Sequence, residues 1–169
     1  KIKTYPYYDK ARHGLDADAM LGALRQVPAG DLVLLHGCCH NPSGVDLKPE
    51  HWHAVAEVVN SRGLLPFIDL AYQGLGDGLD EDATGVRIMA SACPEVMVAS
   101  SYSKNFGLYR ERVGALEVVT RNASNAAVVA SQLGSVVRSI YSMPPSHGAA
   151  LVEIILNDEA LNSAWVAEL

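Results

Sequence analysis

Residues 64–69 read LLPFID, an apolar run that ends in a carboxylate. Similar runs lie on either side of it in the chain, DLVLLH at 31–36 and VMVASS at 96–101. None of the three alternates apolar with polar residues, a pattern typical of strands that are buried on both faces. The three runs therefore predict the central strands of one sheet.

The segments between these runs have helical patterns. PEHWHAVAEVVNSRG at 49–63 begins with a proline suited to a first helical turn and ends with a glycine suited to a C-terminal stop. DATGVRIMASAC at 82–93 predicts a weaker helix. Alternating strands and helices predict right-handed crossovers, so we expect an α/β fold with a mostly parallel sheet and helices on both faces.

The second half of the chain predicts a further strand at 113–119 and a helix from about 123 to 138. MPPSHG at 143–148 separates that helix from the next, since its two prolines lack backbone donors. The chain begins with Lys1 rather than Met and ends in NDEALNSAWVAEL, a helical pattern with no Gly or Pro to stop it. We therefore expect a fragment of a longer protein.

Composition narrows the class of protein. With 49% hydrophobic residues, the 169 residues can form one packed domain. Thirteen basic against 19 acidic residues give a net charge of -6, and no dense Lys/Arg run is present, which argues against nucleic acid as a partner. Three cysteines, no signal peptide and no long apolar run favour a cytoplasmic protein without a membrane anchor.

Polar residues follow the predicted strands, where open α/β sheets bind their ligands. One of them is Lys104, in SSYSKNFGLYRERVG at 100–114. A lysine desolvated at a strand end, near cations such as Arg110 and Arg112, can have a lowered pKa and form a Schiff base. A solvated surface lysine is the alternative.

Asp69 places a carboxylate at the end of its strand, where it needs a partner. The protonated pyridine nitrogen of a cofactor would serve, and Tyr72 could then reach the oxygen substituent of the same ring. Ser101, Ser103 and Arg112 would suit a phosphate group. A helix cap for Asp69 and ordinary turn chemistry for the serines remain open.

HGCCHNPSG at 36–44 contains residue types that also suit a metal or a thiol nucleophile. Its histidines and cysteines crowd one short turn without the separated pairs of zinc sites, so we assign no metal ligand. A Cys-His hydrolase stays an alternative, although no G-x-S-x-G or papain-like signature accompanies it. NPSG at 41–44 instead predicts a turn that directs the Asn41 side chain toward the site.

The order HNPSG, FIDLAYQG, SSYSKNFGLYRERVG resembles class I pyridoxal-phosphate aminotransferases, in the branch that acts on aspartate and aromatic amino acids. The resemblance runs through the whole chain. It implies that residues 1–169 are the central part of the large, cofactor-binding domain of fold type I. The N-terminal part of that domain and the C-terminal small domain would lie outside the chain.

The same resemblance implies a role for each candidate residue. Lys104 would carry pyridoxal 5'-phosphate covalently and move the proton at the substrate α-carbon. The other cofactor contacts would come from Asp69 at the pyridine nitrogen, Tyr72 and Asn41 at the phenolic oxygen, and Ser101, Ser103 and Arg112 at the phosphate. Asn41 would also face the substrate. Arg138 would reach across a homodimer interface to the distal carboxylate of a dicarboxylic substrate.

Two finer expectations and a reaction follow from the resemblance. His36 would lie behind Asp69, and the Asn41–Pro42 peptide bond would be cis. The reaction would move an amino group from aspartate or an aromatic amino acid to 2-oxoglutarate, with little activity in the fragment alone. The alternatives are another pyridoxal-phosphate lyase or decarboxylase of this fold, and a non-catalytic interaction domain that retained it.

Overall fold

The computed structural model describes all 169 residues, and its centre is a four-stranded mixed sheet whose strands lie side by side in the order of the sequence. The sheet strands are β3 (Leu32–His36), β4 (Leu65–Leu70), β5 (Val96–Ser101) and β6 (Gly114–Val119). β3, β4 and β5 pair in parallel, and β6 pairs antiparallel with β5. The α/β class, the mostly parallel sheet and all four predicted strands are confirmed.

Three helices connect or precede the parallel strands: α1 (Ala17–Leu24), α2 (Pro49–Arg62) and α3 (Thr84–Ala92). α2 starts at the proline and ends at Gly63, which has the left-handed φ of 63° that glycine adopts most easily. The hairpin β1 (Tyr8–Asp9) with β2 (Gly14–Leu15) and helix α1 lack a prediction from the sequence. Asp16 was the available signal for α1, because its side chain caps the helix by accepting from Ala19 N at 3.0 Å.

The remaining helices are α4 (Ala123–Ile140), α5 (His147–Asn157) and α6 (Glu159–Glu168). The helix expected from about 123 to 138 is confirmed, and the double proline separates it from α5. Asp158 divides the last helical region because its carboxylate accepts from Leu161 N at 2.9 Å and starts α6. None of the six helices combines the length and the apolar character needed to span a membrane.

The core lies between the sheet and helices α1 to α3. Its largest buried side chains are Trp52, Met20, Leu24, Leu35, Ile68 and Met89. Edge strand β3 shows that the two faces of the sheet differ: Val33 and Leu35 are 4% and 1% exposed, whereas Leu32 and Leu34 are both 49% exposed. The sequence predicts burial on both faces, but at β3 only the face toward these helices is covered.

The contact between α2 and α3 depends on a glycine. A Cβ atom at Gly85 of α3 would overlap the indole ring of Trp52, which is 2% exposed. We expect Gly85→Ala to lower the free energy of unfolding by about 1–3 kcal/mol through overpacking. Gly22→Ala in α1 is the matched control, since no atom lies within 4 Å of its added Cβ. Urea denaturation of both variants measures the difference, and equal stabilities would contradict this packing.

Candidate active site

The carboxyl ends of β3, β4 and β5 meet at one edge of the sheet. His36 of β3 pairs in register with Asp69 of β4, and Gly37 N donates to the Asp69 carbonyl at 2.8 Å, which extends the ladder by one residue. A Cβ at Gly37 would lie 2.7 Å from Leu70 Cδ1, so glycine permits this close approach. The chain therefore leaves β3 directly beside Asp69.

The turn after Gly37 is fixed by a carboxylate. Asp46 accepts from the backbone N–H of Cys39 at 2.6 Å and of His40 at 2.7 Å. Cys39 has a left-handed φ of 49°, a conformation that a non-glycine residue keeps only when its surroundings hold it. The Asn41–Pro42 peptide bond is cis, as the resemblance implies. This turn presents Asn41 at the edge of the sheet.

Asn41, Tyr72 and Lys104 come together from three separate loops. Asn41 Nδ2 lies 3.4 Å from the Tyr72 hydroxyl, and Lys104 Nζ lies 4.5 Å from the centroid of the Tyr72 ring. Lys104 is half-buried and has no carboxylate within 4.0 Å. The ammonium group therefore contacts the π face of an aromatic ring and remains available to a ligand.

Asp69 is half-buried at the end of β4, and no protein donor forms a hydrogen bond with its carboxylate. Asp46 and Asp82, by contrast, accept backbone N–H groups with both oxygens. A partly desolvated carboxylate without a donor suits a cationic N–H from a ligand. These side chains thus fit a cofactor with a pyridine ring: Asp69 offers an acceptor for its protonated nitrogen, Asn41 and Tyr72 offer donors for a ring oxygen, and Lys104 offers an amine for a carbonyl carbon.

The residues expected at the phosphate lie around the end of β5. Ser103 is buried, and its N–H donates to Ser101 Oγ at 3.3 Å. Arg112 is exposed, has a φ of 53° and donates to the Tyr109 carbonyl at 3.0 Å. It is two residues before Gly114, which pairs with Ser101 across β5 and β6. Two serines therefore lie at the end of β5, and Arg112 belongs to the connection that returns from it to β6.

Two expected residues form no hydrogen bond with the side chains of this group. Arg138 is exposed in the last turn of α4 and donates to Ser142 Oγ, with no hydrogen bond or ion pair to Lys104 or Asp69. His36 forms no hydrogen bond with the Asp69 carboxylate; its ring lies 4.6 Å from that of His40, which in turn stacks on Tyr7 at 3.9 Å. Burial lowers the pKa of His40, and the neighbouring His36 lowers it further to a smaller extent.

The turn that carries Lys104 is held by residues that the sequence analysis did not identify. Asn105 Nδ2 donates to the Gln73 carbonyl at 3.1 Å, linking the residue after Lys104 to the residue after Tyr72. Trp165 of α6 donates from Nε1 to the Asn105 carbonyl at 2.8 Å and stacks on Phe106 at 4.3 Å. Only the position of Asn105 next to Lys104 could have indicated its role, and nothing in the sequence indicates that of Trp165.

The two adjacent cysteines do not have the properties of nucleophiles. Burial raises the pKa of Cys38 above its usual range, with further contributions from the Asp82 carboxylate and from Cys39. Burial and the Asp82 carboxylate also raise the pKa of Cys39. Because the thiolate is the reactive form, both side chains are poor nucleophiles at neutral pH.

The sequence and fold define the class of protein. The chain belongs to the class I and II aminotransferases, because the model of that family matches residues 1–169. It is 53% identical, over 169 residues, to an aromatic-amino-acid aminotransferase from Pseudomonas aeruginosa and 51% identical, over 168 residues, to an aspartate aminotransferase from Haemophilus influenzae. These alignments cover 100% and 99% of the chain but 42% of either relative.

Solved structures support the same class. An aromatic-amino-acid aminotransferase from Burkholderia pseudomallei, described as covalently bound to pyridoxal phosphate, superposes with a TM-score of 0.97 at 49% identity. The match covers 99% of this chain and 42% of that one. The chain thus spans about two fifths of the length of these relatives.

The raised pKa values predict slow alkylation of the cysteines. At neutral pH, Cys39 should react with iodoacetamide more slowly than the same residue in urea-unfolded protein, and its rate should keep rising into more alkaline solution. Cys39 is the better probe because it is only half-buried. Restricted access would slow alkylation at every pH, whereas a raised pKa would shift the midpoint of the rate-against-pH curve to higher pH. Mass spectrometry of the labelled peptide gives the rates, and an ordinary thiol midpoint in the folded protein would contradict the pKa shift.

Proposed function

We propose that this chain is the central part of the large domain of a pyridoxal-phosphate aminotransferase. The proposed reaction transfers an amino group from aspartate or an aromatic amino acid to 2-oxoglutarate. One observation carries the proposal: the half-buried Lys104 ammonium lies 4.5 Å from the centroid of the Tyr72 ring without a carboxylate partner, and the hydroxyl of the same ring lies 3.4 Å from the Asn41 amide nitrogen. The family membership and the names of the relatives support it.

Pyridoxal phosphate, when bound, supplies an aldehyde carbon and a ring that withdraws electrons from the substrate. Lys104 would hold it through a covalent carbon–nitrogen link, and its amine, once released, would remove and return the proton at the substrate α-carbon. The contact of Nζ with the Tyr72 ring restricts where that amine can lie. Lys104 is therefore the residue we assign to proton transfer.

Asp69 and the pair Asn41 and Tyr72 would fix the electronic state of the ring. The Asp69 carboxylate would accept from the pyridine N–H and keep that nitrogen protonated. The Asn41 amide and the Tyr72 hydroxyl, 3.4 Å apart, would donate to the ring oxygen together. These contacts would orient the ring relative to Lys104.

Ser101, Ser103 and Arg112 would bind the phosphate through two hydroxyl groups and a guanidinium fork. The short hydrogen-bonded turn between the serines supports this role, as it brings both residues to the end of β5. Asn41, exposed at the mouth of the site, would also contact the substrate. Loss of any one phosphate contact should weaken cofactor binding more than it slows the chemical step.

The rest of the large domain and a small domain would complete the enzyme. Residues 1–169 correspond to 42% of the relatives' length, and Leu32 and Leu34 are half exposed on one face of the sheet. We expect the 169 residues alone to show little transamination. The three free cysteines, the acidic balance and the absence of a spanning helix support a cytoplasmic enzyme without nucleic acid or membrane partners.

Helix α4 supports a homodimer. None of its 18 residues is buried. Its apolar side chains Val128, Val136 and Ile140 expose 59%, 49% and 69% of their surface. A second copy packed along this helix would remove those side chains from water. Arg138 lies in the same helix, so it could enter the partner's site and bind the distal carboxylate of a dicarboxylic substrate.

Replacement of Lys104 should abolish transamination. The full-length protein is mixed with pyridoxal phosphate and borohydride, and the reduced adduct is mapped by mass spectrometry. We expect the adduct on Lys104, and no turnover for Lys104→Ala with 2-oxoglutarate as acceptor. Lys10→Ala is the matched control and should retain activity, because Lys10 lies in an exposed turn that is distant in sequence from Lys104. An unmodified Lys104 would support the non-catalytic domain, and an adduct without transamination would support a lyase or decarboxylase.

Arg138→Ala tests substrate selection across the dimer. In single-turnover half-reactions the variant should lose about 10²–10³-fold in efficiency with aspartate, whose distal carboxylate loses a charged hydrogen bond worth several kcal/mol at a buried site. Phenylalanine lacks that carboxylate and should react nearly as with the unaltered protein. Equal losses with the two amino acids would mean that Arg138 has no role in reading the side-chain carboxylate.

A further inference from the structure

A second group of reactive side chains lies beside the turn that follows β3. The thiol sulfurs of Cys38 and Cys39 and a carboxylate oxygen of Asp82 all lie within 4.8 Å of one another. Cys38 and Asp82 are buried and Cys39 is half-buried. The two cysteines belong to the 36–40 turn, whereas Asp82 comes from the loop before α3.

The backbone conformation places both sulfurs on the same side. Adjacent side chains of an extended chain point in opposite directions. Here the left-handed φ of 49° at Cys39 turns its side chain toward that of Cys38. The carboxylate of Asp46 stabilises this conformation by accepting from Cys39 N and His40 N. The pair of thiols is therefore held in place before any ligand arrives.

The third group is equally fixed. Asp82 Oδ2 accepts from Gly74 N at 2.8 Å and Gly76 N at 3.0 Å, and Oδ1 accepts from Asp77 N at 2.9 Å. A carboxylate has about four lone-pair sites, so Oδ1 retains one for a further partner. The three hydrogen bonds orient the carboxylate and leave it able to accept one further bond.

A cleft leads to this cluster and carries negative charge. It has a volume of about 440 Å³, and its lining includes Cys38 together with four carboxylates and the single cation Lys48. The carboxylates are Asp46, Asp77, Glu81 and Asp82. Such a lining attracts cations and offers water molecules or a further carboxylate to complete a coordination shell.

We propose that Cys38, Cys39 and Asp82 bind a thiophilic divalent cation of the zinc class. Zn²⁺ and Cd²⁺ bind a set of two sulfurs and one oxygen more readily than Mg²⁺ or Ca²⁺ does. Tetrahedral bonds of the usual lengths would place the ligand atoms roughly 3.5–3.8 Å apart, so no pair of them would have to approach by more than about 1.3 Å. Each thiol would release its proton to solvent as its sulfur binds the ion. This inference does not depend on the proposed transamination.

Cadmium titration tests the site in the full-length protein that contains this chain, after reduction and removal of metal by a chelator. Cd²⁺ bound by thiolates gives a charge-transfer absorption in the ultraviolet, and Zn²⁺ should compete for the same site. We expect Cys38→Ser and Cys39→Ser each to weaken binding by at least about tenfold and to reduce the absorption. Cys93→Ser is the matched control, a free buried cysteine outside the cluster.

Asp82→Asn separates the carboxylate from the thiols, because it should weaken binding while leaving the absorption per bound ion unchanged. A measurement on the unaltered protein keeps the test independent of how the variants fold: Zn²⁺ should protect Cys39 from iodoacetamide. The absence of this protection, or unchanged Cd²⁺ affinity in both folded serine variants, would overturn the proposal. An equal loss of affinity in Cys93→Ser would do the same.

Discussion

Parallel pairing of β4 with β3 on one side and with β5 on the other is the constraint on which the rest of this structure depends. Because all three strands run the same way, the loops that follow them emerge at one edge of the sheet. Asn41, Tyr72 and Lys104 are far apart in the chain but meet there. The apolar face of the same strands, packed on α1 to α3, keeps the register from slipping.

Three aspartates in this region show how neighbours decide the role of one residue type. Asp46 and Asp82 satisfy backbone N–H groups and thereby shape the loops around them. Asp69 is the penultimate residue of β4, where its own backbone is already paired and no loop amide donates to its side chain. The first two are used by the protein itself, whereas the third keeps its acceptor capacity for something that arrives from outside.

Strands and the first candidate residues were predictable because their signals are local. An apolar run that ends in Asp69, or a lysine that follows two serines, can be recognised within a few residues of sequence. The contact of Trp165 with Asn105 could not be predicted, since it joins helix α6 to the loop after β5 through a single indole donor. The grouping of Asp82 with the two cysteines was missed for the same reason.

The hydrogen bond from Trp165 to the Asn105 carbonyl also makes the conformation of the Lys104 turn depend on a residue of helix α6. Any exchange of segments between relatives that replaces the Lys104 turn without α6 would remove the indole from its acceptor and from the ring of Phe106. Residues 100–114 and the last helix therefore form one structural unit. A chimera has to transfer them together, although more than one complete helix separates them in the sequence.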